Sequence, residues 1–407
     1  MFLVRTRTKN FRFIKNINIY ANTKRNTELK KMDDIIEQAT ENRQKEYDKF
    51  RSYFSTIVDS LCENKQQSSS SSFPNISIVS DWCRKMLDYN VPEGKLNRGL
   101  SVVISYRILC PTANENEMNQ ARLLGWCMEM FQTSFLLIDD IMDQSITRRR
   151  KPCWYRLPDV GMIACNDAIL LECFIYQLLS EHLDKHPCYL NIINMFHKGF
   201  RITSIGQCMD VLTEKSLNCN KNHGILMENN FENFNLERYK EIVAHKTAFY
   251  SFVLSIRLAL YLANFNDENL HLKIEKILMD IGELFQIQDD FLDCFGNPEQ
   301  MGKIGTDIKD GKCSWLIVRA LKLANEQQRL LLIKHYGHEN DENLIKDLYR
   351  QLNLIQEYQH YHCQTLAKII ENIEQFQQQQ QQQQSDKLIP IKLFNEPLTH
   401  VLMERDC

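Results

Sequence analysis

Two copies of one aspartate pentad constrain this chain more than any other feature. The pattern Asp-Asp-x-x-Asp occurs at Asp139–Asp143 and again at Asp289–Asp293. Each copy follows a largely apolar run, at 135–138 and 284–288, so each pentad is predicted to end a buried helix. The first and last carboxylates of a pentad are four residues apart and share one helix face. A single pentad is compatible with a solvated helix terminus, but two copies predict two walls of one polar cavity.

Six carboxylates that face one cavity need positive charge, because an uncompensated buried charge is costly. Mg²⁺ fits best, since it prefers carboxylate oxygens and keeps waters or substrate phosphates as its other ligands. The predicted metal ligands are Asp139, Asp140, Asp143, Asp289, Asp290 and Asp293. Basic residues follow each pentad, namely Arg148, Arg149, Arg150 and Lys151 after the first, and Lys303 and Lys312 after the second. This alternation of acid and base predicts a diphosphate held through Mg²⁺.

The composition favours helices and argues against several classes of protein. The 407 residues include only 13 Gly and 9 Pro, and 43% are hydrophobic, so long helices around a sizeable core are expected. A net charge of −3 argues against a general nucleic-acid binder. The 14 cysteines form no C-x-x-C pair, which favours reduced thiols in an intracellular protein. No apolar run approaches the roughly 18 residues that span a membrane, so no transmembrane segment is expected.

Three segments carry a family resemblance: DDIMDQSITRRRKPCWY, DDFLDCFG and GKIGTDIKDGKCSW. They resemble the trans-type short-chain isoprenyl diphosphate synthases, most of all the members that form farnesyl diphosphate. The similarity runs from about Asn90 to Ile369 and resumes at Leu388. It implies an all-α, isoprenoid-synthase-type helical bundle around a central cavity, and a homodimer. It also implies about three Mg²⁺ ions per site and a head-to-tail condensation of isopentenyl diphosphate with dimethylallyl and then geranyl diphosphate, giving farnesyl diphosphate.

The resemblance also implies roles for single residues. Isopentenyl diphosphate is expected to bind to Lys95, Arg98, Gln132 and Arg149. The allylic diphosphate is expected to bind to Arg148, Lys246, Thr247, Gln286, Lys303 and Lys312. The expected catalytic residues are Arg148, Lys246, Thr247 and Gln286, with Lys246 and Thr247 on a kinked helix. Gln207 and Asp210 share a helix face, and they either face the cavity or form a satisfied buried hydrogen bond.

Departures from the family pattern leave alternatives open. Ser134 and Phe135 stand where aromatic residues usually floor the pocket, so Ser134 predicts room for one more isoprene unit unless another side chain fills the gap. A geranylgeranyl diphosphate synthase is therefore one alternative. Glu93 replaces a usual glycine, and the segment Met403–Cys407 has one basic residue where the family has a basic tail. Weak isopentenyl binding would favour a terpene synthase-like enzyme without isopentenyl use, and a non-catalytic partner subunit is a third alternative.

Most of the chain is predicted to form one domain. Residues 1–31 carry nine basic residues and one acidic residue, which is typical of a mitochondrial transit peptide or of a basic tail. A cytoplasmic protein is expected, with a mitochondrial one as the alternative. Residues 32–407 are predicted to be a single all-α prenyltransferase domain, with a serine-run insertion at 68–72 and a disordered glutamine-run insertion at 377–384. The cluster His360–Cys363 is expected to lie at the solvated surface.

Overall fold

The structure is a computed structural model that describes residues 43–62, 77–218, 231–297, 305–382, 388–395 and 397–398. Within these ranges nearly all secondary structure is helical, and the predicted all-α fold is confirmed. Residues 43–52 are helical. The helices that follow are α1 (Phe54–Cys62), α2 (Ser77–Asn90), α3 (Asn97–Leu109), α4 (Glu115–Met142), α5 (Ala164–His182), α6 (Tyr189–Asn218), α7 (Leu236–Val243), α8 (Ser255–Leu262), α9 (Glu268–Phe295), α10 (Asp307–Asp310), α11 (Trp315–Leu323), α12 (Glu326–His335), α13 (Glu342–Gln351) and α14 (Leu354–Gln382).

The two pentads occupy equivalent places, at the carboxyl ends of α4 and α9, which are both 28 residues long. A capping box begins α4: the Asn114 side chain accepts from the Glu117 amide, and the Glu117 side chain accepts from the Asn114 amide. Asp267 caps the start of α9. Because the carboxyl end of a helix carries partial negative charge, a cluster of aspartates there needs cations close by.

A short hairpin follows the first pentad. Its strands β1 (Thr147–Arg148) and β2 (Lys151–Pro152) are antiparallel, with Arg148 opposite Lys151. The two connecting residues, Arg149 and Arg150, have φ angles of 53° and 65°. A tight hairpin turn with two positive φ angles matches the twist of its strands, but each such angle costs a residue with a Cβ about 1–2 kcal/mol. The hairpin therefore holds two arginines in a strained turn.

A π-helix of 11 residues, Ala244–Leu254, lies between α7 and α8 and packs against α6 and α9. Long π-helices are rare, and π-helical turns occur mostly at functional sites. The close approach to α6 requires a glycine, because a Cβ on Gly206 would lie 2.3 Å from the Lys246 backbone nitrogen. The kink expected at Lys246 and Thr247 thus takes the form of a π-helix pressed against α6.

Two hydrophobic clusters form the described core, and α9 contributes to both. The larger cluster is built mainly from α1–α6, the π-helix, α8, the first part of α9 and the end of α14. The smaller cluster comes from α7, the end of α9, α11–α13 and the start of α14. Along α9, Leu284 belongs to the larger cluster and Ile287 to the smaller one. The second pentad follows directly after this change from one cluster to the other.

Part of the glutamine tract is helical, which corrects the prediction of a disordered insertion. Helix α14 continues through the tract to Gln382. Gln380 is only 8% exposed. Its Nε2 donates to the Ile389 carbonyl at 3.3 Å, and its Oε1 accepts from the Ile389 amide at 2.7 Å. Phe394 packs edge-on against Phe376 of α14, with ring centroids 5.6 Å apart. Hydrogen bonds from one glutamine of the tract therefore hold the segment around Ile389 against α14.

The histidine cluster also differs from its prediction as solvated surface. His360 is exposed, but the His362 Nε2 atom is buried and has no hydrogen-bond partner among the described residues. Burial lowers the pKa of His362 to about 4. The predictions for residues 1–31, for the serine run at 68–72 and for Met403–Cys407 lie outside the described residues.

One described stretch has the dimensions of a membrane span. Gly161–His182, which includes α5, has a mean hydropathy of 1.5 over its most apolar window, and 44% of that window is buried inside the protein. This corrects the expectation that no stretch approaches the necessary length. Helix α5 packs against α4, and core helices of soluble proteins share this length and composition, so one such helix is weak evidence for a membrane protein.

Candidate active site

Asp139 lies within a network of polar groups at the end of α4. The Lys246 ammonium and the Gln207 amide both donate to its Oδ1, at 3.2 and 2.9 Å. The Arg148 guanidinium lies 3.5 Å from its Oδ2. Burial opposes ionisation of Asp139, but Lys246 and Arg148 outweigh it and lower the pKa to about 2. Asp139 is therefore ionised at neutral pH. The sequence leaves the direction of Gln207 open, and the structure directs its side chain at the first pentad.

Asp140 is the most buried carboxylate of the first pentad, and it anchors the hairpin. Its Oδ1 accepts from Arg148 twice, from Nε at 3.0 Å and from Nη2 at 2.6 Å. Hydrogen bonds between two charged groups are short and strong, so they fix the guanidinium in place. The Asp140 side chain is 4% exposed, whereas those of Asp139 and Asp143 are 20% and 18% exposed. Asp139 and Asp143 are thus the carboxylates that a ligand can reach.

Lys312 joins the first pentad to α6. Its ammonium donates to Asp143 at 3.0 Å, to Glu214 at 2.9 Å and to Asp210 at 3.4 Å. Asp210 also accepts from Lys246 at 2.6 Å. Burial opposes protonation of Lys312, but Asp210 and Asp143 outweigh it and raise the pKa. The two lysines and their carboxylate partners form one continuous cluster of alternating charge.

Asp290 is the buried member of the second pentad. Its Oδ2 accepts from the Trp315 amide at 2.7 Å, and its Oδ1 accepts from the Gln286 side chain at 2.8 Å. Burial raises its pKa to about 7. Asp293 Oδ2 accepts from the Asp307 amide at 3.0 Å, and Asp289 is half-buried. Two aspartates of this pentad are thus bound to backbone amides of the segment that follows it.

The segment 307–315 connects the two pentads in space. Lys312 contacts Asp143 of the first pentad, and three residues later the Trp315 amide contacts Asp290 of the second. The end of α4 and the end of α9 therefore lie on either side of one short segment. Lys303, which the sequence adds to this group, lies outside the described residues.

The donor set of the pentads suits a hard cation. Carboxylate oxygens are the ligands that Mg²⁺ prefers, and the pentads contain neither thiol nor imidazole. Among the described residues no group of three or more His, Cys, Asp or Glu side chains is arranged to hold a metal ion. Instead, the ammonium groups of Lys246 and Lys312 lie against Asp139 and Asp143. The accessible carboxylates are therefore balanced by cations here, and their chemistry fits Mg²⁺.

Arg98, expected to bind isopentenyl diphosphate, lies at the start of α3 and contacts the π-helix. Its Nε donates to Ser251 Oγ at 3.0 Å, and its guanidinium lies 4.9 Å from the centroid of the Tyr250 ring. The same π-helix carries Lys246 and the half-buried Thr247. One element therefore contacts an arginine of the expected isopentenyl site and carries the lysine of the expected allylic site.

The remaining residues expected at the isopentenyl site come from three other elements. Arg149, in the hairpin turn, donates from Nη1 to the Asn90 carbonyl at 2.8 Å. Gln132 is half-buried on α4, and Lys95 is exposed in the loop before α3. Helix α3 begins at Asn97, so Lys95 and Arg98 lie close to its first turn.

Sequence reasoning misses two acidic residues of this region. Glu214 lies on α6 four residues after Asp210, and this helical spacing is the signal that identifies it. Glu129 lies on α4 three residues before Gln132 and is 1% exposed. Its Oε1 accepts from the Gly99 amide at 2.7 Å, and burial raises its pKa. A buried carboxylate thus ties α4 to the first turn of α3.

Aromatic rings pack next to the first pentad. Phe131 and Phe135 of α4 lie 4.4 and 5.7 Å from Phe200 of α6, measured between ring centroids. Tyr250 of the π-helix lies 5.8 Å from Phe131. Ser134 is 5% exposed, and its hydroxyl donates to the Phe131 carbonyl at 2.8 Å. Ser134 is therefore enclosed, and Phe135 belongs to the aromatic cluster.

Known proteins share both the sequence and the fold. The polyprenyl synthetase family model matches residues 80–352, which include both pentads. Farnesyl pyrophosphate synthase 1 of Cannabis sativa is 41% identical over 329 residues, 80% of this chain and 92% of that protein. Farnesyl pyrophosphate synthase of Candida albicans is 43% identical over 336 residues, 81% of this chain and 91% of that protein. A T. brucei farnesyl diphosphate synthase solved with a bisphosphonate is 29% identical, with a TM-score of 0.74 over 88% of this chain and 98% of its own.

Proposed function

The chain belongs to the polyprenyl synthetase family, and from this we propose how its residues act on isoprenoid diphosphates. The matched region covers more than 90% of the farnesyl pyrophosphate synthases of Cannabis sativa and Candida albicans named above. The chain is a prenyltransferase that condenses isopentenyl diphosphate with allylic diphosphates to give farnesyl diphosphate. The observation that carries the proposed mechanism is the charge cluster in which Lys246 and Lys312 lie against Asp139 and Asp143.

Mg²⁺ serves this family, and the pentads are its proposed ligands. We assign direct binding to Asp139, Asp143 and Asp289, with about three ions per site. When bound, Mg²⁺ neutralises charge on the diphosphate that leaves. The remaining aspartates support the site through the contacts described above and through bound water: Asp140, Asp290 and Asp293.

Lys246 and Arg148 are placed to stabilise the diphosphate as it leaves the allylic carbon. Burial opposes protonation of Lys246, but Asp210 and Asp139 outweigh it and raise the pKa, so the ammonium is charged at neutral pH. Arg148 is fixed by Asp140. Charges that are already in position stabilise the transition state without reorganising. We assign the same role to Lys303 and Lys312, and place Thr247 and Gln286 beside the developing carbocation.

Isopentenyl diphosphate is proposed to bind between α3, α4 and the hairpin, through Lys95, Arg98, Gln132 and Arg149. The Arg98 contact with Ser251 and the position of Lys246 on the same π-helix support a fixed spacing between the two diphosphates. Fixed spacing raises the rate, because it removes the entropic cost of bringing the two reacting carbons together.

The new carbon–carbon bond leaves a tertiary cation, which loses a proton to the released diphosphate. Water would capture either cation, so the site must exclude it. The aromatic cluster of Phe131, Phe135 and Phe200 supports such a wall. We propose that this cluster and Ser134 set the length of the product, with farnesyl diphosphate as the end point.

A homodimer is proposed from the exposed apolar side chains of α5 and α6. Ile169, Leu190 and Leu212 are 61%, 69% and 66% exposed. Exposed apolar side chains on these two helices are candidates for such an interface, and the family resemblance implies a homodimer. We expect light scattering to give twice the mass of one chain, and Ile169→Glu with Leu212→Glu to give a folded monomer. A monomeric wild-type protein at all concentrations would refute the dimer.

Product analysis tests the proposed function. The purified chain is incubated with Mg²⁺, isopentenyl diphosphate and dimethylallyl diphosphate, and the alcohols released by phosphatase are identified by gas chromatography–mass spectrometry. Farnesol is the expected main product. Geranylgeraniol as the main product would indicate that the space around Ser134 admits one more isoprene unit. Absence of any prenyl alcohol beyond the starting five-carbon unit would refute isopentenyl condensation.

A further inference from the structure

The hairpin after the first pentad holds Arg149 in a conformation that its own sequence does not favour. Arg149 and Arg150 both have positive φ angles, at 53° and 65°. Such turns are normally built from Asn-Gly or Asp-Gly, because a Cβ disfavours this backbone conformation and Asn and Asp tolerate it better than other residues. A strained turn persists only where the surrounding contacts over-determine it. Contacts from elsewhere in the fold must therefore hold the Arg149-Arg150 turn in place.

Those contacts come from the end of α2 and the loop that follows it. Glu93 Oε1 lies 2.8 Å from the Nζ atom of Lys151. Lys151 belongs to β2, the strand directly after the turn. The Arg149 guanidinium donates to the Asn90 carbonyl at 2.8 Å, and the Tyr89 hydroxyl donates to the Pro152 carbonyl at 2.8 Å. The hairpin is thus tied to the region 89–93 at Arg149, Lys151 and Pro152.

Two further features make this junction tight. The Lys151 ammonium lies 5.2 Å from the centroid of the Tyr89 ring, so the same lysine contacts α2 and the loop. Gly94 has a φ of 106°, and a Cβ there would lie 2.8 Å from Arg149 Nε. The loop can therefore pass beside the arginine only with a glycine at this position. The junction lines an open pocket that Thr133, Asp140 and Arg148 also border.

The Glu93 carboxylate is engaged with Lys151. The Lys151 hydrogen bond lowers the pKa of Glu93, more than burial raises it, so the carboxylate is ionised at neutral pH. An isolated carboxylate beside an anion site would repel a diphosphate. A carboxylate paired with Lys151 instead has its charge balanced, and it connects the loop before Lys95 to the hairpin of Arg149.

We propose that Glu93 and Lys151 are positioning residues, which hold the Arg149 turn over the pocket and thereby set the affinity for isopentenyl diphosphate. This inference rests on the proposed function and names the residues that control one of its two substrates. The Glu93 and Lys151 side chains are 39% and 41% exposed, so the pair is screened by solvent and its effect is modest. Exposed ion pairs of this kind change an equilibrium by about two- to fivefold.

Steady-state kinetics of the full chain test the proposal. We expect Glu93→Gln and Lys151→Met each to raise the KM for isopentenyl diphosphate by about two- to fivefold, with kcat and the KM for geranyl diphosphate within about twofold. The KM of the double variant for isopentenyl diphosphate should be no higher than the higher of the two single-variant values, because both changes break the same pair. The swap of Glu93→Lys with Lys151→Glu should recover part of the lost affinity.

The opposite sign would overturn the inference. If Glu93 acted mainly by repelling the diphosphate, Glu93→Gln would lower the KM for isopentenyl diphosphate. An unchanged KM in both single variants, with wild-type melting temperatures, would equally refute a positioning function. A wild-type chain that makes no prenyl product would instead refute the proposed function, so the two failures are distinguishable.

A neighbouring ion pair supplies the matched control. Lys85 pairs with Asp159 and, like Lys151, lies over an aromatic ring, in this case that of Trp154 at 5.8 Å. Neither residue contacts the Arg149 turn among the described contacts. Lys85→Met should leave the KM for isopentenyl diphosphate unchanged. Raising the salt concentration should reduce the difference in KM for isopentenyl diphosphate between wild type and Glu93→Gln, because salt screens an exposed ion pair.

Discussion

The Lys246 ammonium lies 3.2 Å from Asp139 Oδ1, although 107 residues of chain separate the two. This contact joins the π-helix to the carboxyl end of α4. Lys246 also contacts Asp210 at 2.6 Å, so it keeps one partner if Asp139 is removed. Substitution of Asp139 can therefore test chemistry with limited loss of the fold.

Asp139→Ala is expected to reduce kcat by about a thousandfold or more, because it removes a proposed Mg²⁺ ligand and with it charge stabilisation in the transition state. The melting temperature should fall only slightly, since Asp210 retains Lys246. Turnover of geranyl diphosphate, measured over a range of Mg²⁺ concentrations, checks the prediction. Near wild-type turnover would show that the first pentad does not hold the catalytic metal.

Ser134→Phe is expected to shorten the product. Ser134 is 5% exposed, and we expect it to floor the pocket, so a phenyl ring at this position should take space from the growing product. Turnover of geranyl diphosphate should fall by about tenfold, and the share of geraniol among the alcohols should rise. Ser134→Ala is the control, with an unchanged product. If active Ser134→Phe still gave the wild-type alcohols, a different residue would set the floor of the pocket.

Arg150→Gly is expected to stabilise the protein by up to about 1 kcal/mol. Glycine removes the strain of the positive φ angle, and its greater freedom in the unfolded chain offsets part of the gain. Arg150→Ala is the matched control, because it removes the same charge and keeps the strained Cβ. Chemical denaturation of both variants measures the difference. Equal stability of the two variants would mean that the turn carries little strain.

Gln380→Ala is expected to destabilise the protein by about 1–3 kcal/mol, because it leaves the buried Ile389 amide and carbonyl without their partner. Gln381 is exposed and immediately adjacent, so Gln381→Ala should leave the melting temperature unchanged. Thermal denaturation of the two variants gives the comparison directly. Equal melting temperatures would show that the tract does not secure the segment around Ile389.

His362 is expected to weaken the fold in acid. Its pKa is lowered to about 4 by burial, whereas it is about 6.5 in an unfolded chain, so the unfolded state binds the extra proton between these values. The contribution to stability is complete above pH 6.5 and declines as the pH falls toward 4, by at most about 1.4 kcal/mol per pH unit. Denaturation at several pH values should show a shallower decline for His362→Gln. The exposed His360 is the control, and His360→Gln should keep the wild-type slope.

The sequence predicts the parts of this protein that depend on neighbours along the chain. Apolar runs before each pentad place the aspartates at helix ends, because helical periodicity is local. The partners of those aspartates are not local: Lys246 reaches Asp139, and Lys312 reaches Glu214, through contacts between distant elements. Nothing in an Arg149-Arg150 pair indicates positive φ angles, since arginine does not favour them. These features are products of packing and need the folded chain to be seen.

The glutamine tract fails as a prediction for a related reason. A run of identical polar residues has no periodicity, so composition alone suggests disorder. Helix α14 instead extends into the tract, and Gln380 becomes distinct from its neighbours because it faces Ile389. Identical residues thus acquire different environments once a helix assigns each of them a direction.

The helical glutamine tract makes the contact between Gln380 and Ile389 insensitive to changes in the number of glutamines. The buried amide stands four residues after Phe376, and any tract long enough to reach that position supplies a glutamine there. Adding or losing one glutamine turns the residues that follow by about 100° around the helix. In a sequence without repeats, this rotation would move the residue that contacts Ile389 away from it. Here the incoming residue is the same as the outgoing one, and only the link to Ile389 changes length. Homopolymer slippage at the level of the gene can therefore lengthen this protein without removing the contact that holds the segment around Ile389.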